Sequence, residues 1–207
     1  MESILILAPH TDDGELGCGG TISKLAEEGY RVVYVAFSTC RRSLPEGWEP
    51  DTLEKEVKRA VPLLGVLLEN IILFDYDVRQ FKTERQSILE DMVLLKRKYN
   101  PLKVFVPSPT DMHQDHQVIS EEGLRAFKNT TVLGYEMPWN NIAFNTRAFM
   151  KLEEKHVLKK VSALKEYKSQ QLRNYVTEEF IFSLARVRGV QIGTQYAESF
   201  EVIRTIL

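Results

Sequence analysis

His10, Thr11, Asp12 and Asp13 follow directly on the first apolar run of the chain, and a second histidine pair, His113 and His116, follows a later one. His-x-x-Asp and His-x-x-His together can supply three metal ligands and still leave side chains for acid–base work. A catalytic zinc takes three protein ligands and keeps one position open for water. His10, Asp13 and His116 are the expected ligand set. Asp12 stands beside that set but faces differently from Asp13, so it is the expected general base. His113, if protonated, can hydrogen-bond a developing oxyanion or give a proton to a leaving group. Asp115 can orient a histidine from behind. Iron(II) and other divalent ions suit the same donors, so zinc is the first expectation and Fe2+ the alternative.

Each motif alone has a bland reading. An Asp-Asp pair after a strand often forms a turn and helix cap, and a lone His-x-x-His is commonly incidental. What raises the pair above that level is the order of elements. Ser3–Ala8 reads as a buried strand, Thr21–Glu28 as a helix stopped by Gly29, and Arg31–Phe37 as a second strand. Residues 52–64 read as a helix capped by Asp51, with Pro62 ending or kinking it. Ile71–Phe74 is a third strand, 87–99 a helix, Lys103–Val106 a fourth strand, 118–127 a helix and Thr131–Tyr135 a fifth strand. Strand–helix alternation implies a Rossmann-like three-layer α/β/α fold with a mostly parallel central sheet. Ligands then bind at the carboxyl ends of the strands. One motif follows the first strand and the other the fourth, so both belong on one edge of the sheet. Beyond residue 135 the pattern weakens to a long helix over 154–172, another over 178–188, and a final strand from Ala197. A single domain, 1–207, is expected.

The bulk properties are those of an ordinary globular chain of 207 residues, with 43% apolar and 27% charged. A net charge of -2 gives no electrostatic case for a nucleic-acid partner. Cys18 and Cys40 are too few for a disulfide framework, and the short N-terminal apolar run has no basic flank, so it reads as a strand and not a signal peptide. No apolar stretch is long enough for a membrane span. A cytoplasmic protein is expected, with a homo-oligomer left open. The stretch Gly14–Gly20 matches neither a dinucleotide fingerprint nor a P-loop. Its glycines serve either a close ligand approach or tight packing, and Cys18 is expected as a small packed residue.

The motifs also resemble those of a known family. APHTDDGELGCGGT, residues 8–21, is similar to the opening motif of the LmbE/PIG-L-like zinc-dependent de-N-acetylases, His-Pro-Asp-Asp-Glu followed by Gly-Cys-Gly-Gly. SPTDMHQDH, residues 108–116, resembles their second motif, His-Pro-Asp-His. Weaker matches run through residues 56–65, 160–170 and 196–203. The resemblance implies hydrolysis of an acetamide on a small-molecule amino sugar or its conjugate, giving acetate and a free amine. By matched position it implies His10, Asp13 and His116 as zinc ligands, Asp12 as base and His113 as assistant at the oxyanion or amine. The chain departs from the pattern at Thr11 (usually Pro), Gly14 (usually Glu) and Gln114 (usually Pro). It also lacks the arginine often found just before the glutamate matching Glu56, having Thr52–Leu53–Glu54–Lys55 there.

That gap leaves substrate recognition to other residues. Arg41 and Arg42 in the preceding loop are candidates, with plain surface charge as the alternative. Trp139, with Asn140 or Asn141, can stack a sugar ring and bind its hydroxyls, and Trp48 is a weaker candidate. The rival functions are a sugar- or nucleotide-binding module without hydrolysis, and a different metal-dependent amide or ester hydrolase.

Overall fold

The computed structural model describes residues 1–44 and 46–206. Its frame is a seven-stranded sheet: β1 (Ser3–Ala8), β2 (Arg31–Ala36), β3 (Ile71–Leu73), β4 (Lys103–Pro107), β5 (Thr131–Tyr135), β6 (Ala148–Leu152) and β7 (Tyr196–Arg204). The strand order is β3-β2-β1-β4-β5-β7-β6. The first five strands pair in parallel, and β7 runs antiparallel to both β5 and β6. β1 is buried along its whole length. Its pleat sends Ile4 and Ile6 into one apolar cluster and Leu5 and Leu7 into the other, as a strand covered on both faces requires.

Helices α1 (Asp13–Glu27), α2 (Thr52–Leu63), α5 (Glu154–Lys165) and α6 (Glu178–Gln191) cover the Ile4/Ile6 face, with Ile22, Leu25, Val57, Val61, Val161 and Ile181 turned inward. Helices α3 (Arg85–Tyr99) and α4 (Gln114–Ala126) cover the other through Ile88, Met92, Val118 and Ile119. This is the expected three-layer α/β/α arrangement with a mostly parallel sheet. Among the described residues, no helix is long and apolar enough to cross a membrane.

Several boundaries differ from the sequence reading. α1 starts at Asp13, not Thr21, so Gly14–Gly20 is helical. Glycine's poor helix propensity hid that turn, and close packing explains it: a Cβ on Gly14 would lie 2.5 Å from the Tyr34 ring. α4 starts four residues earlier than expected, which puts His116 in its first turn. The expected long helix over 154–172 ends at Lys165 and passes into two 3-10 turns, Lys168–Gln170 and Asn174–Val176. The edge strand β6 was not anticipated; its residues are mostly half-buried and show no clean alternation. Asp51 occupies the N-cap position of α2 as expected, but its carboxylate makes no cap hydrogen bond and pairs with Lys55 at 2.6 Å instead.

α1 is broken at Cys18, whose φ of -149° and ψ of 30° are not helical. Backbone groups on both sides of the break are satisfied from one buried ion pair. Glu198 accepts from the backbone N–H of Gly20 (3.0 Å) and Thr21 (2.7 Å), and Lys160 donates to the Leu16 carbonyl (2.7 Å). Lys160 and Glu198 also meet each other at 2.7 Å. Removing one member of such a pair strands the other charge in the interior. Lys160→Met is therefore expected to lower stability by about 3–5 kcal/mol, measured by urea unfolding. The double variant Lys160→Met/Glu198→Gln should recover part of that loss; equal losses in single and double variants would contradict this role for the pair.

Candidate active site

Strand order reverses between β1 and β4, which lie side by side although β2, β3 and three helices separate them in the chain. In such sheets this switch point is where the loops diverge and open a crevice. The loop after β1 carries His10–Asp13, and the loop after β4 leads to His113 and His116 at the start of α4.

The two loops meet at Asp13. Its Oδ2 accepts from the His10 backbone N–H at 2.8 Å and lies 3.0 Å from His10 Nδ1 and 3.2 Å from His116 Nε2. Each histidine is held on its far side by a further carboxylate. His116 Nδ1 is 2.7 Å from Asp111 Oδ2, and His10 Nε2 is 3.1 Å from Asp115 Oδ2, which also accepts the Arg79 backbone N–H. Asp115 thus orients a histidine. Asp111 was not foreseen, although it stands in the quoted second motif. It fixes His116 and also accepts the His113 N–H.

His10, Asp13 and His116 present ligand atoms within 4.8 Å of one another, and so do His10, His113 and Asp115. The first set suits a cation better. In the second, His113 Nδ1 is taken up as the acceptor of the Asp115 N–H at the α4 cap, and Asp115 Oδ2 already accepts from Arg79. Two imidazoles and one carboxylate, each histidine backed by its own carboxylate, match the donor chemistry of a catalytic divalent metal.

Charges in the cluster are strongly displaced. Burial alone would lower His10 and His116, but the Asp13 charge and the carboxylate hydrogen bonds outweigh it, raising them to about 9 and about 10. Burial opposes ionisation of Asp13, yet the two histidines hold it well below the usual carboxylate range. Asp12 is pushed up to about 6 by burial and by the neighbouring Asp13 charge. Its side chain makes no helix-cap hydrogen bond, so the carboxylate stays available to the cleft. Burial and the nearby histidines lower His113 to about 4. His113 is therefore neutral rather than protonated. Its Nδ1 accepts a hydrogen bond, which leaves the proton on Nε2.

A cleft of about 370 Å³ opens over these groups, lined also by Cys40, Leu53, Arg79, Trp139, Asn140, Gln170, Arg173 and Tyr175. Trp139 and Asn140 lie where the sequence reading expected them. Trp139 stacks on Tyr175 with ring centroids 3.9 Å apart, so one face of the indole is already covered. Asn141 turns inward, and its side-chain oxygen accepts the Met137 N–H. Arg41 and Arg42 are not brought to the cleft. Arg41 is held by Glu54 and Asp75, Arg42 by Asp77, and both line a separate cavity. Trp48 is not among the cleft-lining residues.

Comparison with known proteins fits this geometry. The family model described as PIG-L, GlcNAc-PI de-N-acetylase, matches residues 5–127. The chain belongs to the PIG-L family. YaiS of Escherichia coli K12, an uncharacterized deacetylase, is 29% identical over 173 residues, spanning 81% of this chain and 91% of YaiS. The solved N,N'-diacetylchitobiose deacetylase of Pyrococcus horikoshii superposes with a TM-score of 0.80 at 22% identity, over 98% of this chain and 84% of that one. The 4-carboxy-2-hydroxymuconate hydratase GalB of Pseudomonas putida KT2440 superposes almost as well, with a TM-score of 0.79 at 19% identity over 100% and 98% of the two chains. A hydratase on the same fold shows that fold alone does not fix the chemistry.

The departures from the PIG-L motif have local explanations. Gly14 has no room for a side chain, because Tyr34 fills that space and its hydroxyl accepts the Gly14 N–H. Gln114 reaches the Arg79 carbonyl at 3.0 Å and ties the loop after β3 to α4. Where the usual arginine is missing, Leu53 lines the cleft. Gln170 falls in the helix expected over 154–172, and Arg173 and Tyr175 in the unassigned connection after it; the end of α5 at Lys165 brings all three to the cleft.

Without metal, His10 and His116 both carry protons at neutral pH, and an ion enters only as those protons leave. Metal uptake is therefore expected to release protons, and affinity to fall as pH falls from about 10 toward neutrality, where both histidines are already protonated. Calorimetric titration in two buffers of different ionisation enthalpy measures this directly; heats independent of buffer would refute it.

Proposed function

We propose that the protein is a zinc-dependent deacetylase that hydrolyses the N-acetyl group of a small-molecule amino sugar, its conjugate or a sugar nucleotide. The observation that carries this reading is the meeting of His10 and His116 on Asp13, with the uncapped carboxylate of Asp12 beside them in the cleft. Membership of the PIG-L family supports the acetamide as the bond attacked.

His10, Asp13 and His116 would hold the metal, which supplies Lewis acidity to the acyl oxygen and lowers the pKa of water; iron(II) suits the same donors. Asp12 takes the proton from the attacking water and delivers it to the departing amine. A carboxyl group near 6 is ionised at neutral pH yet basic enough to accept a proton. His113 donates its Nε2 hydrogen to the oxyanion as it forms. Asp111 and Asp115 act through the histidines, fixing their tautomers and rotation.

Acetate release from a panel of N-acetylated amino sugars, measured for metal-loaded protein against a chelator-treated control, tests this. Release is expected only with metal. Asp12→Asn should lower kcat by about 10²–10⁴-fold with the metal still bound. Near-normal turnover in that variant would remove Asp12 from the mechanism. Absence of release across the panel, with hydration of an unsaturated acid instead, would move the chain to the chemistry of its hydratase neighbour.

A further inference from the structure

We infer that Arg173, together with Arg79, binds an oxyanion carried by the substrate, so that the preferred substrate is an acidic acetamido sugar, one bearing a phosphate or carboxylate group, and not a neutral one. The inference rests on the deacetylase reading for where the acetamide sits, but its own test is binding.

The first support is charge accounting. Both guanidinium groups line the cleft that holds His10, Asp12, Asp13, His113 and His116. Among the described residues neither lies within ion-pair distance of a carboxylate, whereas Arg41, Arg42, Arg59, Arg85, Arg125 and Arg188 all do. The cleft also contains Asp13, which is committed to the two histidines, and Asp12, which feels the Arg173 charge without an ion-pair contact to it. Two cations with no ion-pair contact in a binding cleft are a recognition element for a planar or tetrahedral oxyanion.

The second support is that Arg173 is mounted, although it belongs to an irregular segment. Its Nε donates to the Gln170 side-chain oxygen at 2.6 Å and its Nη1 to the Tyr175 hydroxyl at 2.5 Å. Gln170 is itself tied to Ser169, whose hydroxyl and backbone N–H both go to the buried Glu56 carboxylate at 2.6 and 3.1 Å. Tyr175 stacks on Trp139. A long side chain held along one edge loses less rotamer freedom on binding. Nη2 makes no hydrogen bond among the described residues and remains for a ligand. Leu53 lines the cleft near the start of α2, and Arg173 brings a cation to the same cleft from the connection between α5 and α6, over a relay that ends on Glu56 of α2.

The third support is the contrast with Arg79. Its backbone is fixed by the Asp115 contact and by a φ of 68°, while its side chain is exposed and takes no carboxylate partner. A fixed backbone with a free guanidinium suits a second, adaptable contact to the same anion.

The test uses full-length, zinc-loaded Asp12→Asn protein, which binds without turning over. Calorimetry compares N-acetylglucosamine 1-phosphate (a phosphate), N-acetylmuramic acid (a carboxylate) and methyl N-acetylglucosaminide (neutral). At least one acidic ligand should bind roughly tenfold or more tightly than the neutral one, and added salt should shrink the difference. Which acid wins distinguishes phosphate from carboxylate. Adding Arg173→Ala should bring the acidic-to-neutral ratio close to one, Arg173→Lys should restore part of it, and Arg42→Ala should leave it unchanged. Equal affinity for all three ligands, or a preference that survives Arg173→Ala in folded protein, overturns the inference. Loss of acetate release from every substrate by the wild-type protein, with the acidic preference intact, would instead sink the deacetylase reading.

Discussion

A single carboxylate oxygen holds the site together. Asp13 Oδ2 sits at the middle of a continuous chain in which carboxylates and imidazoles alternate: Asp111, His116, Asp13, His10 and Asp115, with successive contacts of 2.7, 3.2, 3.0 and 3.1 Å. Carboxylates this deeply buried are costly unless paired. The histidines supply that pairing as cations in the metal-free protein, and a divalent ion replaces their protons with equivalent charge. The chain requires β1 and β4 to be neighbours, because Asp13 and His10 come from one loop and the other three members from the second. The parallel switch point is thus a condition of the chemistry, beyond being a place where clefts happen to form.

A second buried network keeps the first loop in register. The Thr11 carbonyl accepts from the hydroxyls of Tyr34 (2.8 Å) and Tyr167 (2.6 Å), and both hydroxyls also contact the Glu15 carboxyl. Each hydroxyl has one proton, so it cannot donate to Thr11 and to Glu15 at once. The Glu15 proton supplies a third donor. Burial pushes Glu15 up to about 8, which keeps it mostly protonated at neutral pH, so three of the four contacts carry a proton. Gly14 follows from the same arrangement, because the Tyr34 hydroxyl occupies the space a side chain would need. Below it, the break at Cys18 and the Lys160–Glu198 pair allow α1 to pass close under β6 and α5 without orphaning its backbone.

The sequence was most readable where period and residue type agreed. The β1, β4 and β5 runs are short, apolar and bounded by turn residues, and their lengths came out within a residue. The placement of His10, Asp12, Asp13, His113 and His116 on one sheet edge followed from element order alone. What stayed hidden depended on tertiary contacts. The glycine-rich start of α1 is helical against its own propensity because tyrosines and an ion pair pack on it. Asp111 looks like a turn residue until His116 is seen against it. Arg41 and Arg42 looked available because charge in a loop does not reveal its partners; their carboxylates lie on Glu54, Asp75 and Asp77, which only the fold brings near.

The family match and the cleft divide along the chain. All the residues proposed for metal binding and proton transfer lie within 5–127, the matched portion. Trp139, Asn140, Gln170, Arg173 and Tyr175, which form one wall of the cleft, lie beyond it. The proposed chemistry is therefore built on the parallel half of the sheet, where strand order constrains it tightly, and the proposed recognition, Arg79 apart, on the connections of the antiparallel addition. Gln170, Arg173 and Tyr175 make no hydrogen bond to the Asp13 chain among the described residues, whereas Asn140 is tied to the second motif by the Met112 N–H at 3.0 Å and Asn141 by a backbone bridge to Asp111. A fold arranged in this way can keep its acid–base groups while exchanging the ligand they act on, and it can host a hydratase as readily as a deacetylase. In this chain the cleft sets a free Asp12 carboxylate opposite a mounted cation, Arg173, from the C-terminal side of the sequence.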